Sequence, residues 1–452
     1  MNFMLEDQLQ KSEGQQSLFE NKRRTIPQLV LPSFGSAQNL QYQPLTSQSK
    51  RIETPYEKEL KKKFEKTFST QVLEPVEGNT QASTPKPKGK RIAVLFSGGP
   101  ASGGHNVVAG LLQILGEHNT LLGVLNGPKG LLKGTFIEIT IGEIDRIQNQ
   151  GGFNLLGSDR TKIKTREQLK QVKDMVIYYN LDGIVIIGGD DSNTNAAIMA
   201  EYLADINCSV VGVSKTIDGD VQVEDYLPIS FGFDTATKIY SETVGNILQD
   251  AASSRKYWHF IKLMGRHASH VTIEVSLQTH PPLTFISEAV QSKKMTWSDI
   301  VDATCDAVVT RYNKGMSYGA VLLPEGLVEH LADGDAIWDH FEDSVGFDSH
   351  GNRKLSQIET EKVLMKHVQV RLTQTHPEIP FEGITHFLGY EGRCAAPTQF
   401  DAFFTFNLGV LAGTLVLQGA TGMMGVIGNW DEGGRVAAVP LTALLTQEER
   451  SG

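Results

Sequence analysis

Residues 91–115 read RIAVLFSGGPASGGHNVVAGLLQIL, and their order decides the fold. RIAVLF is a short, continuously apolar run of the kind found in strands buried on both faces. SGGPASGGH (Ser97 to His105) is a glycine-rich turn, and from His105 to Glu117 apolar residues recur at spacings of three and four, which predicts a helix. A strand, a glycine turn and a helix N-terminus aim backbone N–H groups and the positive end of the helix dipole at one point, which suits a phosphate. The same glycines also serve a plain tight turn that needs positive φ, and this loop alone does not separate the two readings. It is not a P-loop, since no Gly-Lys-Ser/Thr closes it, and it is not a GxGxxG match.

Outward from this unit the pattern repeats. LLGVL (121–125), GIVII (183–187) and SVVGV (209–213) predict further buried strands, and 192–205 and 234–252 further helices with Ser192 and Asp234 as N-caps. Strands alternating with helices predict a parallel sheet covered on both faces, with ligands beyond the carboxyl ends of the strands. WHFIKL (258–263), LTFI (283–286) and YGAVLLP (318–324) predict a second α/β unit, completed by the carboxyl-terminal third. The charged stretch at about 325–366 reads as a helical insertion. Residues 1–90 read as an N-terminal extension ending in the linker QASTPKPKGK; within it Tyr56, Leu60, Phe64 and Phe68 form an apolar helical face that packs on the protein's own surface. The predicted organisation is an extension (1–90), a larger α/β domain (91–255) and a second α/β domain (256–452). In fold-class terms these are two Rossmann-like lobes with mostly parallel sheets and an active site in the cleft between them.

Bulk properties agree. A chain of 452 residues exceeds one hydrophobic core, and 40% hydrophobic with 21% charged residues is ordinary for a soluble globular protein. The net charge of -10 disfavours nucleic acid and anionic membranes as partners, so an anionic substrate requires a local cluster of positive groups. Three widely spaced cysteines argue against a disulfide framework and fit a reducing cytoplasm. The polar, acidic amino terminus lacks a secretory pattern, and no run of 18 apolar residues predicts a membrane span. A cytoplasmic location is expected.

Two further strand ends carry chemistry. In IIGGDDSNTNAA (186–197) adjacent carboxylates, Asp190 and Asp191, enter a helix; Mg²⁺ takes one or two carboxylates plus substrate phosphates, which makes Asp190 the metal candidate, with a simple helix cap as the alternative. In VGVSKTIDGDV (211–221) Lys215, Thr216, Asp218 and Asp220 crowd into six residues. Phosphoryl transfer needs such a mixture: a cation for charge on the moving group and a base for the attacking hydroxyl.

Taken together, SGGPASGGHN, GGDDSNTNA and KTIDGD resemble the signature loops of the phosphofructokinase family, in its long pyrophosphate-dependent branch. NQGGFNLLGSDRTKI, SFGFDTATKIYSETVGNILQDA, KYWHFIKLMGRHASH, LQTHP, LLPEGL and FLGYEGRCAAPTQFD extend the resemblance over about residues 91–446. It implies reversible phosphoryl transfer from pyrophosphate to the 1-hydroxyl of fructose 6-phosphate, with Mg²⁺ held by Asp190. It also implies that Gly98, Gly99 and Lys215 bind pyrophosphate and that Asp218 is the general base, with Thr216, Ile217 and Asp220 around the acceptor. Asp191 with Lys215 marks pyrophosphate use, because a carboxylate there occupies and repels the place of a nucleotide's α-phosphate. Sugar phosphate recognition falls to Met264, Gly265, Arg266, Glu325, Tyr390, Glu391, Gly392 and Arg393, with Arg266 also in the catalytic set. Lys256 and Tyr257 resemble residues donated across a subunit interface, which implies a homodimer or higher homo-oligomer with shared active sites. Asp159, where a glycine is frequent, would stand near the donor phosphates.

Two rivals come from the same family: an ATP-dependent phosphofructokinase, against which Asp191 speaks, and a non-catalytic regulatory subunit, against which the complete GGDD and TIDGD motifs speak. His267 and His270 lack a third ligand nearby and read as structural or close to substrate.

Overall fold

The computed structural model describes residues 28–36, 39–75, 89–219, 221–223, 226–266, 268–341 and 355–445. They divide into two compact units, one holding the chain up to Gly99 with Gly103–Val213 and Ala402–Ala443, the other Pro100–Ser102 and Ser214–Asp401.

Apart from a two-residue hairpin pair, Gly35–Ser36 with Asn39–Leu40, the strands in chain order are β1 (Leu45–Arg51), β2 (Gln71–Pro75), β3 (Arg91–Phe96), β4 (Thr120–Val124), β5 (Phe136–Glu138), β6 (Gly183–Gly188) and β7 (Ser209–Ser214). They continue with β8 (Trp258–Leu263), β9 (Leu283–Thr284), β10 (Gly319–Pro324), β11 (Gly383–Leu388), β12 (Met423–Gly428) and β13 (Arg435–Pro440). The helices that matter below are α1 (Glu57–Lys63), α2 (Gly104–Leu115), α3 (Asp190–Leu203), α4 (Phe233–Ser254), α5 (Thr360–Thr375) and α6 (Gln399–Leu417).

The first unit is built on a nine-stranded sheet in the order β1-β2-β13-β12-β7-β6-β3-β4-β5. At its centre β3 pairs parallel with β4 and β6, and β7 parallel with β12. The outer pairs β4–β5, β12–β13, β13–β2 and β2–β1 are antiparallel. Every residue of β6, β7 and β12 is buried, which is why such strands read as unbroken apolar runs.

Two expectations change here. The boundary at residue 255 with everything later in a second domain does not hold: Met423 and Gly425 of β12 register with Val211 and Val213 of β7, so the chain returns to the first sheet. The physical reason lies in α6, which is apolar all round. A Cβ at Gly110 would meet the Phe406 carbonyl at 2.0 Å, and one at Gly409 the Val107 carbonyl at 2.0 Å, so α2 and α6 cross backbone to backbone. By length and composition α6 would also pass for a membrane span, but 83% of its most apolar window is buried inside the protein. The second change concerns the N-terminal extension. Its described part is an integral sheet edge, with Leu73 registered against Ala438 and Leu45 N–H donating to Gln418 Oε1 at 2.9 Å. Within it α1 buries Leu60 and Phe64 against the protein, as its apolar face predicts. Residues 1–27 and 76–88, with most of the predicted linker, lie outside the described residues.

The second unit carries a four-stranded sheet, β9-β10-β8-β11, with all three pairs parallel. Its core joins Trp258, Phe260, Trp297, Ile300, Leu323 and Leu364. The predicted helical insertion resolves into short 3-10 turns, Leu327–His330, Gly334–Phe341 and Leu355–Gln357, followed by α5. These turns send Leu327, Ile337, Phe341 and Leu355 into that core, so they complete the unit; residues 342–354 lie outside the described ones.

Candidate active site

In the first unit three loops meet at the carboxyl ends of β3 and β6. Ser97 N–H donates to the Ile187 carbonyl at 2.8 Å and Gly98 N–H to the Asp159 carbonyl at 3.0 Å. Gly98 sits at φ +86°, where glycine alone is unstrained. The Ser158 hydroxyl donates to the Gly98 carbonyl, and Ser192 Oγ donates to Ser97 Oγ at 2.8 Å. The 97–99 turn, the 157–163 loop and the start of α3 therefore form one surface, which brings Gly98 and Gly99 together with Asp190 and Asp191.

Helix α3 begins at Asp190 after its N-cap Gly189, so both carboxylates occupy its first turn and Ser192, the cap predicted from sequence, lies inside the helix. Acidic side chains there are stabilised by the helix dipole. Asp190 Oδ1 accepts the Asp191 N–H at 2.7 Å, and Asp191 forms an ion pair with Lys162 at 2.9 Å. The sequence reading missed Lys162, which in GSDRTKI looks like any solvated lysine. Asp159 answers to its own loop. Burial pushes its carboxyl up, but the Thr161 side chain and the N–H groups of Thr161, Lys129 and Arg160 together hold it below the ordinary range. His105 supplies no cation, because burial lowers its pKa to about 4.

In the second unit Lys215 is buried and its backbone is bridged to Phe231. Ser230 Oγ donates to the Thr216 carbonyl at 3.2 Å, and Asp218 N–H to Thr216 Oγ1 at 3.0 Å, so the loop is folded back on itself and Asp218 stays partly exposed. Beneath it Gly232, at φ +95°, lies so close to Ala101 and Ile217 that a Cβ would come within 2.7 and 3.3 Å. Gly232 is the N-cap of α4, and the predicted cap Asp234 sits one position inside the helix. The acceptor is Asp401, wholly buried, which takes the N–H groups of Gly232 and Thr235 at 3.0 and 2.9 Å and the Thr235 hydroxyl at 2.5 Å. Asp220 and His267 lie outside the described residues.

The predicted sugar-phosphate residues gather at the carboxyl ends of β8, β10 and β11. Gly265 N–H donates to Glu325 Oε2 at 3.1 Å. Burial raises the Glu325 pKa, against that N–H and the charges of Lys262, Arg266 and Arg393. The Arg393 guanidinium lies 4.8 Å from the centre of the Tyr390 ring, and Arg266 reaches Glu329 at 3.9 Å. Tyr240 of α4 supports the cluster, donating to the Gly389 carbonyl at 2.5 Å with its ring against Gly392. Burial and the charges of Glu391, Asp218 and Glu325 hold the Tyr240 phenol well above its usual pKa, against Arg393. Lys256 and Tyr257 are not brought in: they precede β8, whereas Met264 follows it, roughly 20 Å further along at the usual strand rise. Lys256 instead packs over the Tyr257 ring at 4.6 Å.

Parallel strands ending in glycine turns, with helices between them, define an α/β protein with its loops gathered at the carboxyl ends of the strands. More narrowly, the phosphofructokinase family model matches residues 91–416, and the chain belongs to the phosphofructokinase family. It is 40% identical over 437 residues to the pyrophosphate–fructose 6-phosphate 1-phosphotransferase of Treponema pallidum, covering 83% of this chain and 75% of that one. To subunit beta 2 of the enzyme of the same name from Arabidopsis thaliana it is 40% identical over 448 residues, covering 87% and 77%. Among solved structures, a pyrophosphate-dependent phosphofructokinase from Nitrosospira multiformis shares the fold with a TM-score of 0.62 at 18% identity, over 81% of this chain and 86% of that one.

Proposed function

We propose that this protein transfers a phosphoryl group reversibly between pyrophosphate and the 1-hydroxyl of fructose 6-phosphate, giving fructose 1,6-bisphosphate and phosphate. The observation that carries the reading is the GGDD start of α3 against the glycine turn 97–99, in a chain about 40% identical to proteins named for this reaction. The resemblance to the pyrophosphate-dependent branch implies that a carboxylate at Asp191 takes the room of a nucleotide's further phosphate, which favours the shorter donor.

The Gly98–Gly99 turn, with the Gly98 N–H held by the Asp159 carbonyl, lets the backbone approach pyrophosphate closely, and Lys215 offers a cation to the charge that develops on the moving group. Asp218 takes the proton of the 1-hydroxyl, with Thr216 and Ile217 beside the acceptor. Arg266 and Arg393 bind the 6-phosphate, Glu325 accepts from sugar hydroxyls, and Met264, Gly265, Tyr390, Glu391 and Gly392 shape the pocket. Asp190 fits a divalent cation: it is an exposed, hard oxygen donor beside the glycine turn. Mg²⁺ takes one or two carboxylates and completes its shell with substrate phosphates and water, so a single carboxylate such as Asp190 suits it. When bound, it would neutralise charge on the donor's phosphates. The distance of Lys256 and Tyr257 from Met264 along their own strand favours their service to a neighbouring subunit's site, and hence a homo-oligomer.

The test is Asp218→Asn. We expect turnover to fall by about a thousandfold or more, while calorimetry still detects fructose 6-phosphate binding. Near-normal turnover would remove Asp218 from the role of base.

A further inference from the structure

Lys162 has no role in the chemistry above, yet its side chain meets Asp191 at 2.9 Å. Its place is fixed by the backbone on both sides. Ile163 N–H donates to Asn195 Oδ1 at 2.8 Å, and Asn195 is one helical turn beyond Asp191 on the same face of α3. On the other side Thr161 N–H closes a turn onto Asp159 Oδ1 at 2.7 Å. With side-chain exposures of 21% for Lys162 and 48% for Asp191, such a pair contributes little to stability, and holding a lysine in one geometry costs side-chain entropy. Its consequence is electrostatic. Asp190 and Asp191 set two negative charges side by side on a surface proposed to receive a polyanion, and Lys162 offsets one of them while tying that carboxylate to the 157–163 loop.

We infer that Lys162 is a positioning residue for the donor: by pairing with Asp191 it fixes that carboxylate, offsets its charge and keeps the surface receptive to pyrophosphate. This rests on the proposed function. The test compares Lys162→Met and Lys162→Arg, each in the wild-type and the Asp191→Asn background, by steady-state kinetics with Mg²⁺-pyrophosphate and fructose 6-phosphate, and by thermal melting. Lys162→Met should raise KM for pyrophosphate by about tenfold or more and leave KM for fructose 6-phosphate within about twofold, as expected for one charge lost at one subsite. Lys162→Arg should restore most of the loss, the methionine change should add little once Asp191 is Asn, and melting should hardly move. If Lys162→Met is unstable, Lys162→Gln serves for the same coupling. An unchanged KM for pyrophosphate, or equal losses in both backgrounds, would overturn the inference alone. A wild-type protein without pyrophosphate-dependent turnover would overturn the proposed function and this inference with it.

Discussion

Asp401 caps a helix whose first turn lies far before it in the chain, Thr235 being 166 residues away: its carboxylate accepts the N–H of Thr235 at 2.9 Å and the Thr235 hydroxyl as well, with Gly232 N–H on the other oxygen. The same Gly232 lies under Ile217, so the acceptor fixes the floor of the Lys215–Asp218 loop. Asp401→Ala would strand these donors in a dry interior, a loss of about 3 to 5 kcal/mol. Urea unfolding checks this, and a loss below about 1 kcal/mol would contradict the cap. Burial raises the Asp401 pKa from 3.8 to about 6, so between those values the folded state holds a proton that the unfolded state releases. Stability from this group is therefore fully present below pH 3.8 and is lost as pH rises through about 6. Measured against Asp401→Asn, which does not titrate, wild-type stability should decline across that window and level off above it.

Lys262 and Glu361 form a second buried relationship, 3.4 Å apart with side-chain exposures of 1% and 6%, and Lys262 also donates to the Ile358 carbonyl at 2.5 Å. Removing one partner leaves an uncompensated charge in the core. Lys262→Met should cost about 3 to 5 kcal/mol, whereas Lys262→Met with Glu361→Leu should recover most of that loss. Denaturant midpoints that are equally low for the single and double variants would show that the pair is not the source.

Gly392 offers a steric test of the sugar-phosphate cluster. A Cβ there would meet the Tyr240 ring at 2.4 to 2.7 Å, so Gly392→Ala must push the short helix Tyr390–Arg393 away from α4. The expected cost is about 1 to 3 kcal/mol of stability, together with a rise of about tenfold in KM for fructose 6-phosphate, the scale of one displaced phosphate contact. An unchanged KM would mean that the helix does not shape that site.

Much of this was legible in the sequence because strands buried on both faces write themselves as continuous apolar runs, and β3, β6, β7, β8 and β10 fall where RIAVLF, GIVII, SVVGV, WHFIKL and GAVLLP stand. The glycine turn and the GGDD and KTIDGD loops stood out for the same local reason. What was hidden depends on distance in the chain. MMGVIG and RVAAVP have the texture of any buried strand, and only their pairing with β7 and with each other shows that they return to the first sheet. The cap of α4 was sought within its own first turn, at Asp234, because nothing local points to Asp401. Lys162 and Lys262 look alike as sequence, yet one is partly exposed beside Asp191 and the other lies in the core.

The most direct measurement is a side-by-side donor assay of the purified protein with fructose 6-phosphate and Mg²⁺, following fructose 1,6-bisphosphate with pyrophosphate or with ATP. The account predicts rapid product formation with pyrophosphate and at least about a hundredfold less with ATP, the discrimination expected when a fixed carboxylate meets an extra phosphate. Product with ATP and none with pyrophosphate would contradict it.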